Sequence, residues 1–223
     1  MPTAIVVADG DVPSVAELDG AWPGWSGDRA IVVAADGGAR GAQTLGLTID
    51  LVVGDGDSLS ERELERLAEM GIPFRRAPAD KDESDTELAV LAAIELGAES
   101  LVVLGALGGS RFDHALANLG LLALPSLEGR PCVLVDGRSR VSLLSGPGSA
   151  ELAGRTGDIV SLLPFGDGVR GVVTDGLAYS LRDEPLPAGP ARGLSNVRLG
   201  QIARVTVRTG RLLIVESPAT LTT

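Results

Sequence analysis

One cysteine, one lysine, one histidine and one tyrosine are all that this 223-residue chain holds of those four residue types. Cys132 stands alone in the apolar run Pro131 to Val135, which excludes an internal disulfide framework and a zinc site built on cysteines, and it reads as a buried strand cysteine. Aromatic residues make up 3% of the chain, no basic run or basic–aromatic face is present, and the net charge is −11, so a nucleic-acid-binding surface is not expected. No apolar run reaches the roughly 18 residues a membrane span needs. No basic region precedes the first apolar stretch, so a secretory leader is not expected and a cytoplasmic protein is. Internal repeats are absent.

What is present is a large apolar fraction, 44%, with positive mean hydropathy (+0.24). A chain of this length and composition buries a real core, as one large domain or two modest ones. The acidic balance bears on partners. It repels bare ATP, so a nucleotide substrate requires Mg²⁺ and a few well-placed cations, whereas a cationic substrate is attracted. Of the nineteen Lys and Arg residues only Lys81 is a lysine.

Up to residue 137 the pattern alternates. Thr3–Ala8, Ala30–Ala35, Ile49–Val53 and Leu101–Leu104 read as strands buried on both faces, Phe74–Ala77 as a weaker one and Cys132–Val135 as a sixth. Helical patterns fall at about 38–46, 60–70, 85–96 and 113–124. Ser84 and Glu87 form a capping box, the third helix ends at Gly97, and Asp113 is placed to cap the fourth, which stops at Pro125. This predicts an α/β domain over 1–137 with a mainly parallel, Rossmann-like sheet. Beyond it, strand-like segments at 140–144, 158–163, 169–173, 202–208 and 211–215 predict a small all-β sandwich over 138–223. Asp183–Pro190, with three prolines, reads as a surface loop. Trp22 and Trp25 lie in a Pro/Gly loop between the first two strands and read as packing residues, with a ligand cover as the alternative.

Four Asp- and Gly-rich motifs follow the predicted strands, where open α/β sheets build their sites. In Gly54-Asp55-Gly56-Asp57-Ser58 the two carboxylates are two residues apart, which puts both on one face of an extended chain. The glycine between them admits another group, and the pair reads as a hard-oxygen site for Mg²⁺, with a solvated Asp-Gly turn as the alternative. In Asp80-Lys81-Asp82-Glu83-Ser84-Asp85, Asp82 and Asp85 meet at a helix start, and Lys81 is either a salt-bridge partner or a point charge for a phosphate oxygen. In Gly108-Gly109-Ser110-Arg111-Phe112-Asp113-His114 a glycine turn enters a helix. There Arg111 can grip a phosphate, Asp113 can cap, ligate or orient Arg111, and His114 can bond a phosphate or the backbone. Ala35-Asp36-Gly37-Gly38 is an acid, a tight turn and a helix start. No Gly-x-Gly-x-x-Gly follows the first strand, so a nicotinamide dehydrogenase lacks its signature.

Taken in order, Ala-Asp-Gly-Gly-Ala (35–39), Asp50 with 54–58, Asp-Lys-Asp-Glu-Ser-Asp-Thr-Glu-Leu-Ala (80–89) and Arg-Phe-Asp-His-Ala-Leu-Ala-Asn (111–118) resemble the thiamine pyrophosphokinase family. So do Ser161–Pro164, Gly176–Leu181 and Gly193-Leu194-Ser195-Asn196. The resemblance implies transfer of a pyrophosphoryl group from ATP to the hydroxyl of thiamine, giving thiamine diphosphate and AMP. It implies Asp55, Asp57 and Asp85 as Mg²⁺ ligands. Asp36, Gly37, Lys81, Ser84, Arg111, Asp113 and His114 fall on the ATP side, with Arg111 and Asp113 also in catalytic roles. Ser195 and Asn196 fall on the thiamine side, in a homodimer with sites at the subunit interface. The chain departs from the pattern at Val197, where bacterial relatives usually carry Glu, and at Ser110, an added residue before Arg111. Its tail, Leu212–Val215, lacks an aromatic. The Val197 departure leaves open another heterocyclic alcohol such as a hydroxymethyl-pterin as acceptor, and a non-catalytic thiamine- or nucleotide-binding regulator that kept the fold is a separate alternative.

Overall fold

The computed structural model describes residues 2–219, and the chain divides into two compact units, Met1–Gly137 and Arg138–Thr223. In the first unit the elements run β1 (Thr3–Val7), α1 (Val15–Ala21), β2 (Arg29–Ala35), α2 (Gly38–Thr44), β3 (Leu51–Gly54) and α3 (Glu61–Glu69). There follow β4 (Phe74–Arg76), α4 (Asp85–Glu95), β5 (Ser100–Leu104), α5 (Phe112–Leu121), a 3₁₀ turn at Pro125–Leu127 and β6 (Cys132–Val135). The six strands pair in parallel in the order β6-β5-β1-β2-β3-β4. Strand order thus reverses at β1, with β2–β4 laid down on one side and β5 and β6 on the other.

The strands lack alternation because both faces are covered. Ile5, Val7, Val32, Ala34 and Val52 pack with Leu18, Ala39, Ala42 and Leu67 in one core, which Trp22 joins with its indole N–H donating to the Asp136 carbonyl at 2.7 Å. Trp25 packs against the same core and donates to Asp19 at 2.9 Å, so both tryptophans are packing residues. Residues of the opposite parity, Ala4, Val6, Val33 and Val53, are equally buried, and α4 lies across β1, β2 and β3. The α4 face includes Ala89, Ala92 and Ala93, and small side chains there let the helix approach the sheet closely.

Helix ends show how local chemistry sets the elements, and two expectations are corrected. Helix α1, absent from the expected elements, is held by a complete capping box: the Ser14 N–H donates to Glu17 at 2.8 Å and the Glu17 N–H to the Ser14 hydroxyl. At α5 the N-cap is Arg111, not Asp113, which lies inside the first turn and bonds Arg111. At α4 one arm of the expected box forms, the Ser84 hydroxyl accepting the Glu87 N–H at 3.1 Å. At α3 the Glu63 carboxylate accepts the Ser60 N–H and hydroxyl at 2.8 and 2.6 Å, and it meets Arg40 of α2 at 2.5 Å.

The second unit holds β7 (Arg140–Ser145), β8 (Gly148–Ala153), β9 (Ile159–Pro164), β10 (Val169–Asp175), β11 (Arg182–Leu186), β12 (Asn196–Val197), β13 (Ile202–Val207) and β14 (Arg211–Ser217). They form antiparallel layers ordered β12-β9-β14-β7 and β11-β10-β13-β8. Leu152, Val172, Val205, Leu162, Leu212 and Ile214, from both layers, share one core. The expected loop at Asp183–Pro190 is corrected: its first half belongs to β11, and Pro185 is accommodated because β11 is an edge strand with no partner on its outer side. Strand β8 was also not expected.

A charged group sits inside this unit. Arg198 is 1% exposed; it donates to Glu216 at 2.5 Å and to the Leu152 carbonyl, and Arg140 donates to the other Glu216 oxygen at 2.9 Å. Removing Glu216 leaves a buried guanidinium uncompensated. Glu216→Ala is therefore expected to cost about 3–5 kcal/mol in chemical denaturation, and Glu216→Leu combined with Arg198→Met to recover most of it. Equal losses in both variants would contradict this account.

The Glu63 carboxyl is held down to about 2, first by Arg40 and then by the Ser60 hydroxyl and N–H. A depressed folded-state value stabilises fully above the ordinary value of 4.5 and is lost as pH falls toward 2. Accordingly the stability gap between the natural chain and Glu63→Gln should be widest near pH 6 and narrow on acidification to pH 3. A gap constant across that range would count against the ion pair.

Candidate active site

The loops leaving β5, β1, β2 and β3 touch one another along the carboxyl edge of the first unit's sheet. The Gly109 N–H donates to Asp11 at 3.0 Å, joining the β5 and β1 loops. Backbone meets backbone there: a Cβ on Gly10 would fall 2.3 Å from the Gly105 carbonyl oxygen. Asp9 lies against the β2 loop, where a Cβ on Gly37 would fall 2.2 Å from its carboxylate. The β2 and β3 loops are joined by the Ser58 N–H, which donates to Asp36 at 3.0 Å.

Asp36 is the buried member of this row. It is 1% exposed, its backbone takes a positive φ of 44°, and its N–H donates to the Val53 carbonyl. Left-handed backbone at a non-glycine residue is uncommon and tolerated best by Asp and Asn. One oxygen, Oδ1, is buried without a hydrogen-bond partner. Burial raises the Asp36 carboxyl above its ordinary value; Asp85 and Asp57 push the same way, and the Ser58 N–H opposes them. Asp36, Asp55 and Asp57 each offer an oxygen, and these three atoms lie within 4.8 Å of one another. Gly54 makes room: a Cβ there would fall 2.8 Å from Asp36 Cβ and 3.3 Å from Asp85 Cγ.

Charge within the cluster is compensated from one side. Lys81 bridges Asp85 at 3.0 Å and Asp55 at 3.3 Å, with its side chain 11% exposed. Burial alone would depress the ammonium, but the two carboxylates outweigh it and hold Lys81 above its ordinary value. Asp55 is held below its own, first by the Asp57 N–H, which donates to it at 3.0 Å, and then by Lys81 against the opposing effect of burial. Of the expected ligands, then, Asp55 and Asp57 stand together with Asp36, and Asp85 pairs with Lys81 beside Gly54. Three carboxylates with an orphaned, desolvated oxygen among them form a hard-oxygen donor set that fits Mg²⁺, which keeps waters and takes further ligands from phosphates.

Arg111, Asp113 and His114 are exposed at the start of α5. Arg111 grips Asp113 with two nitrogens at 3.1 and 2.5 Å, which holds the Asp113 carboxyl down at about 2. No hydrogen bond among the described residues joins this group to the Asp36 cluster. Ser84 caps α4 beside Asp85, and Asp50 fixes strand pairing by accepting the Val32 N–H at 2.7 Å. In the second unit Ser195 has a φ of 54° and its N–H donates to the Ser161 hydroxyl. Asn196 is 4% exposed, and its amide takes the Tyr179 N–H at 2.8 Å and donates to the Tyr179 carbonyl at 2.7 Å. That leaves the Tyr179 ring as the exposed group of this turn.

Three residues were not among those expected. Asp9 and Arg40 meet at 3.9 Å beside Gly37, and Arg40 also donates to the Ser58 carbonyl at 2.5 Å. Arg76, last residue of β4, donates to the Asp55 carbonyl at 2.6 Å. Asp9-Gly10-Asp11 carries a readable signal, the same Asp-Gly-Asp order as 55–57 after a buried strand; Arg40 and Arg76 carry none.

Comparisons with known proteins agree across the chain. The thiamin pyrophosphokinase catalytic domain matches residues 25–134 and the thiamin pyrophosphokinase vitamin B1 binding domain matches 150–214. The thiamine pyrophosphokinase of Bacillus subtilis is 23% identical over 218 residues, spanning 97% of this chain and 99% of that one. Its crystal structure superposes with a TM-score of 0.82 over 96% of this chain and 98% of its own. A thiamin pyrophosphokinase family protein from Enterococcus faecalis gives 0.80 at 25% identity, covering 98% and 99%. The yeast enzyme gives 0.76 at 15%, covering 98% and 87%. With both domain models matched in order along it, the chain belongs to the thiamin pyrophosphokinase family.

Proposed function

We propose that the chain transfers a pyrophosphoryl group from ATP to the hydroxyl of thiamine, giving thiamine diphosphate and AMP, with Mg²⁺ held by Asp36, Asp55 and Asp57. The observation that carries the metal assignment is the convergence of these three carboxylates on one point, with Asp36 Oδ1 buried and unpartnered. The ion, when bound, supplies charge neutralisation at the attacked β-phosphorus and the departing AMP.

The remaining roles belong to side chains. Asp36 is desolvated and fixed by the Ser58 N–H, so it meets its partner without reorganisation. Lys81 holds Asp55 and Asp85 in place through its two ion pairs. Arg111 and His114, at the open start of α5, serve the nucleotide side with Ser84 and Gly37. Asp113, which holds Arg111 with both carboxylate oxygens, orients it toward the nucleotide. On the thiamine side, Ser195 and Tyr179 flank the ligand and Asn196 fixes the turn that carries them. The acidic chain favours the cationic thiazolium of thiamine over a neutral acceptor. The working unit is a cytoplasmic homodimer with sites at the subunit interface, a proposal that rests on the family resemblance.

Incubation with thiamine, ATP and Mg²⁺ should yield thiamine diphosphate and AMP in equal amounts, and a chelator should abolish both. Asp57→Asn should lower turnover by at least about 100-fold with the circular dichroism spectrum unchanged. Full activity in that variant would remove Asp57 from the site, and AMP released only with another heterocyclic alcohol would change the acceptor. Light scattering should return twice the 22.8 kDa chain mass; a monomer at working concentration would overturn the dimer.

A further inference from the structure

We infer that Arg76 supplies the guanidinium that grips the polyphosphate beside the Asp55–Asp57 turn, an inference that rests on the pyrophosphoryl-transfer reading above. The starting point is which cations at this edge of the sheet are not already neutralised by an acid. Lys81 is committed to Asp55 and Asp85. Arg40 is committed to both oxygens of Glu63 and to the Ser58 carbonyl. Arg111 is committed to both oxygens of Asp113, and Arg75 to Glu95 at 2.7 Å. A polyanion arriving at this carboxylate cluster therefore meets cations that are already paired with acids.

Arg76 differs. Among the described residues it has no carboxylate partner, and its one hydrogen bond goes to the Asp55 carbonyl at 2.6 Å. That uses one of the five N–H donors of a guanidinium and leaves the fork that matches a phosphate in two-pronged fashion. Its position is fixed from two sides. The guanidinium carbon lies 5.4 Å from the centre of the Phe74 ring. Gly56, between the two candidate ligands, admits it: a Cβ there would fall 3.3 and 3.4 Å from the two terminal nitrogens of Arg76. Asp55, Gly56 and Arg76 thus put a cation with free donors next to the turn that offers the metal ligands. A side chain at Gly56, whose φ is 86°, would take up that space.

Two roles separate cleanly by experiment. A brace acts through the Asp55 carbonyl and changes the turn; a phosphate grip acts through charge. Arg76→Gln keeps an amide donor for the carbonyl and removes the charge, Arg76→Lys keeps the charge and loses the fork, and Arg76→Ala removes both. Binding of inorganic tripolyphosphate to the full chain in the presence of a chelator should weaken by about tenfold or more in Arg76→Ala and Arg76→Gln. Arg76→Lys should recover part of it, and Mn²⁺ affinity, read by electron paramagnetic resonance without phosphate, should stay at the natural value in all three. Unchanged tripolyphosphate binding, no binding to the natural chain, or a loss confined to Arg76→Ala and matched by a loss of Mn²⁺ affinity would overturn the inference. If tripolyphosphate binding depends on Arg76 while thiamine and ATP give no products, the inference stands and the reaction assignment falls. If products form and the Arg76 variants bind tripolyphosphate normally, the reverse holds.

Discussion

Like charges must be kept close together for this site to exist. Asp36, Asp55 and Asp57 present oxygens within 4.8 Å of one another, and Asp85 adds its charge from beside Gly54. At such distances carboxylates repel by about 1 kcal/mol even in water and by several times that where burial lowers the dielectric. The first unit supplies the restraint. Parallel pairing of β2 with β3 brings Asp36 and the 54–58 turn to the same edge, the Ser58 N–H ties them, and Lys81 neutralises the far side. A site held together against its own repulsion is one that a cation stabilises on arrival, which is why the electrostatics and the proposed chemistry point the same way.

The second unit handles charge differently. Arg198 and Arg140 each pair with Glu216, inside or at the margin of an apolar core. Among the described residues of this unit, Arg198 Nε, facing Gly154, is the buried side-chain nitrogen without a partner. The two units differ in sign: in the second a buried acid is paired with two arginines, whereas in the first a buried acid stands among other acids with Oδ1 unpartnered.

Much of the fold was legible because burial on both faces leaves uninterrupted Val, Ile, Leu and Ala runs, and the six runs of the first unit correspond to β1–β6. What failed did so for local reasons. Helix α1 is only seven residues long, preceded by Pro13 and interrupted near its end by Gly20, and its one clear mark is the Ser14–Glu17 box. Strand β11 is disguised by Pro185, which only an edge position permits. At the site, the Asp55–Asp57 spacing announces a pair of carboxylates, but the burial of Asp36 and its pairing with Ser58 arise from strand register, which no local pattern in Ala-Asp-Gly-Gly encodes. Likewise the 80–85 motif allows Lys81 either an ion pair or a phosphate contact, and its pairing with Asp55 and Asp85 comes from the tertiary structure. The arginines that brace the loops, Arg40 and Arg76, reach across 18 and 21 residues to the Ser58 and Asp55 carbonyls, beyond any motif.

The pairing of Lys81 has a use outside catalysis. It is the only lysine side chain in the protein, it is nearly enclosed, and two carboxylates keep it protonated and therefore unreactive toward acylating reagents. Modification there requires the ion pairs to part first. The rate at which an amine-directed reagent labels Lys81 is thus a clock for transient opening of the carboxyl edge of the first unit's sheet, read by mass spectrometry with no competing lysine side chain elsewhere in the molecule.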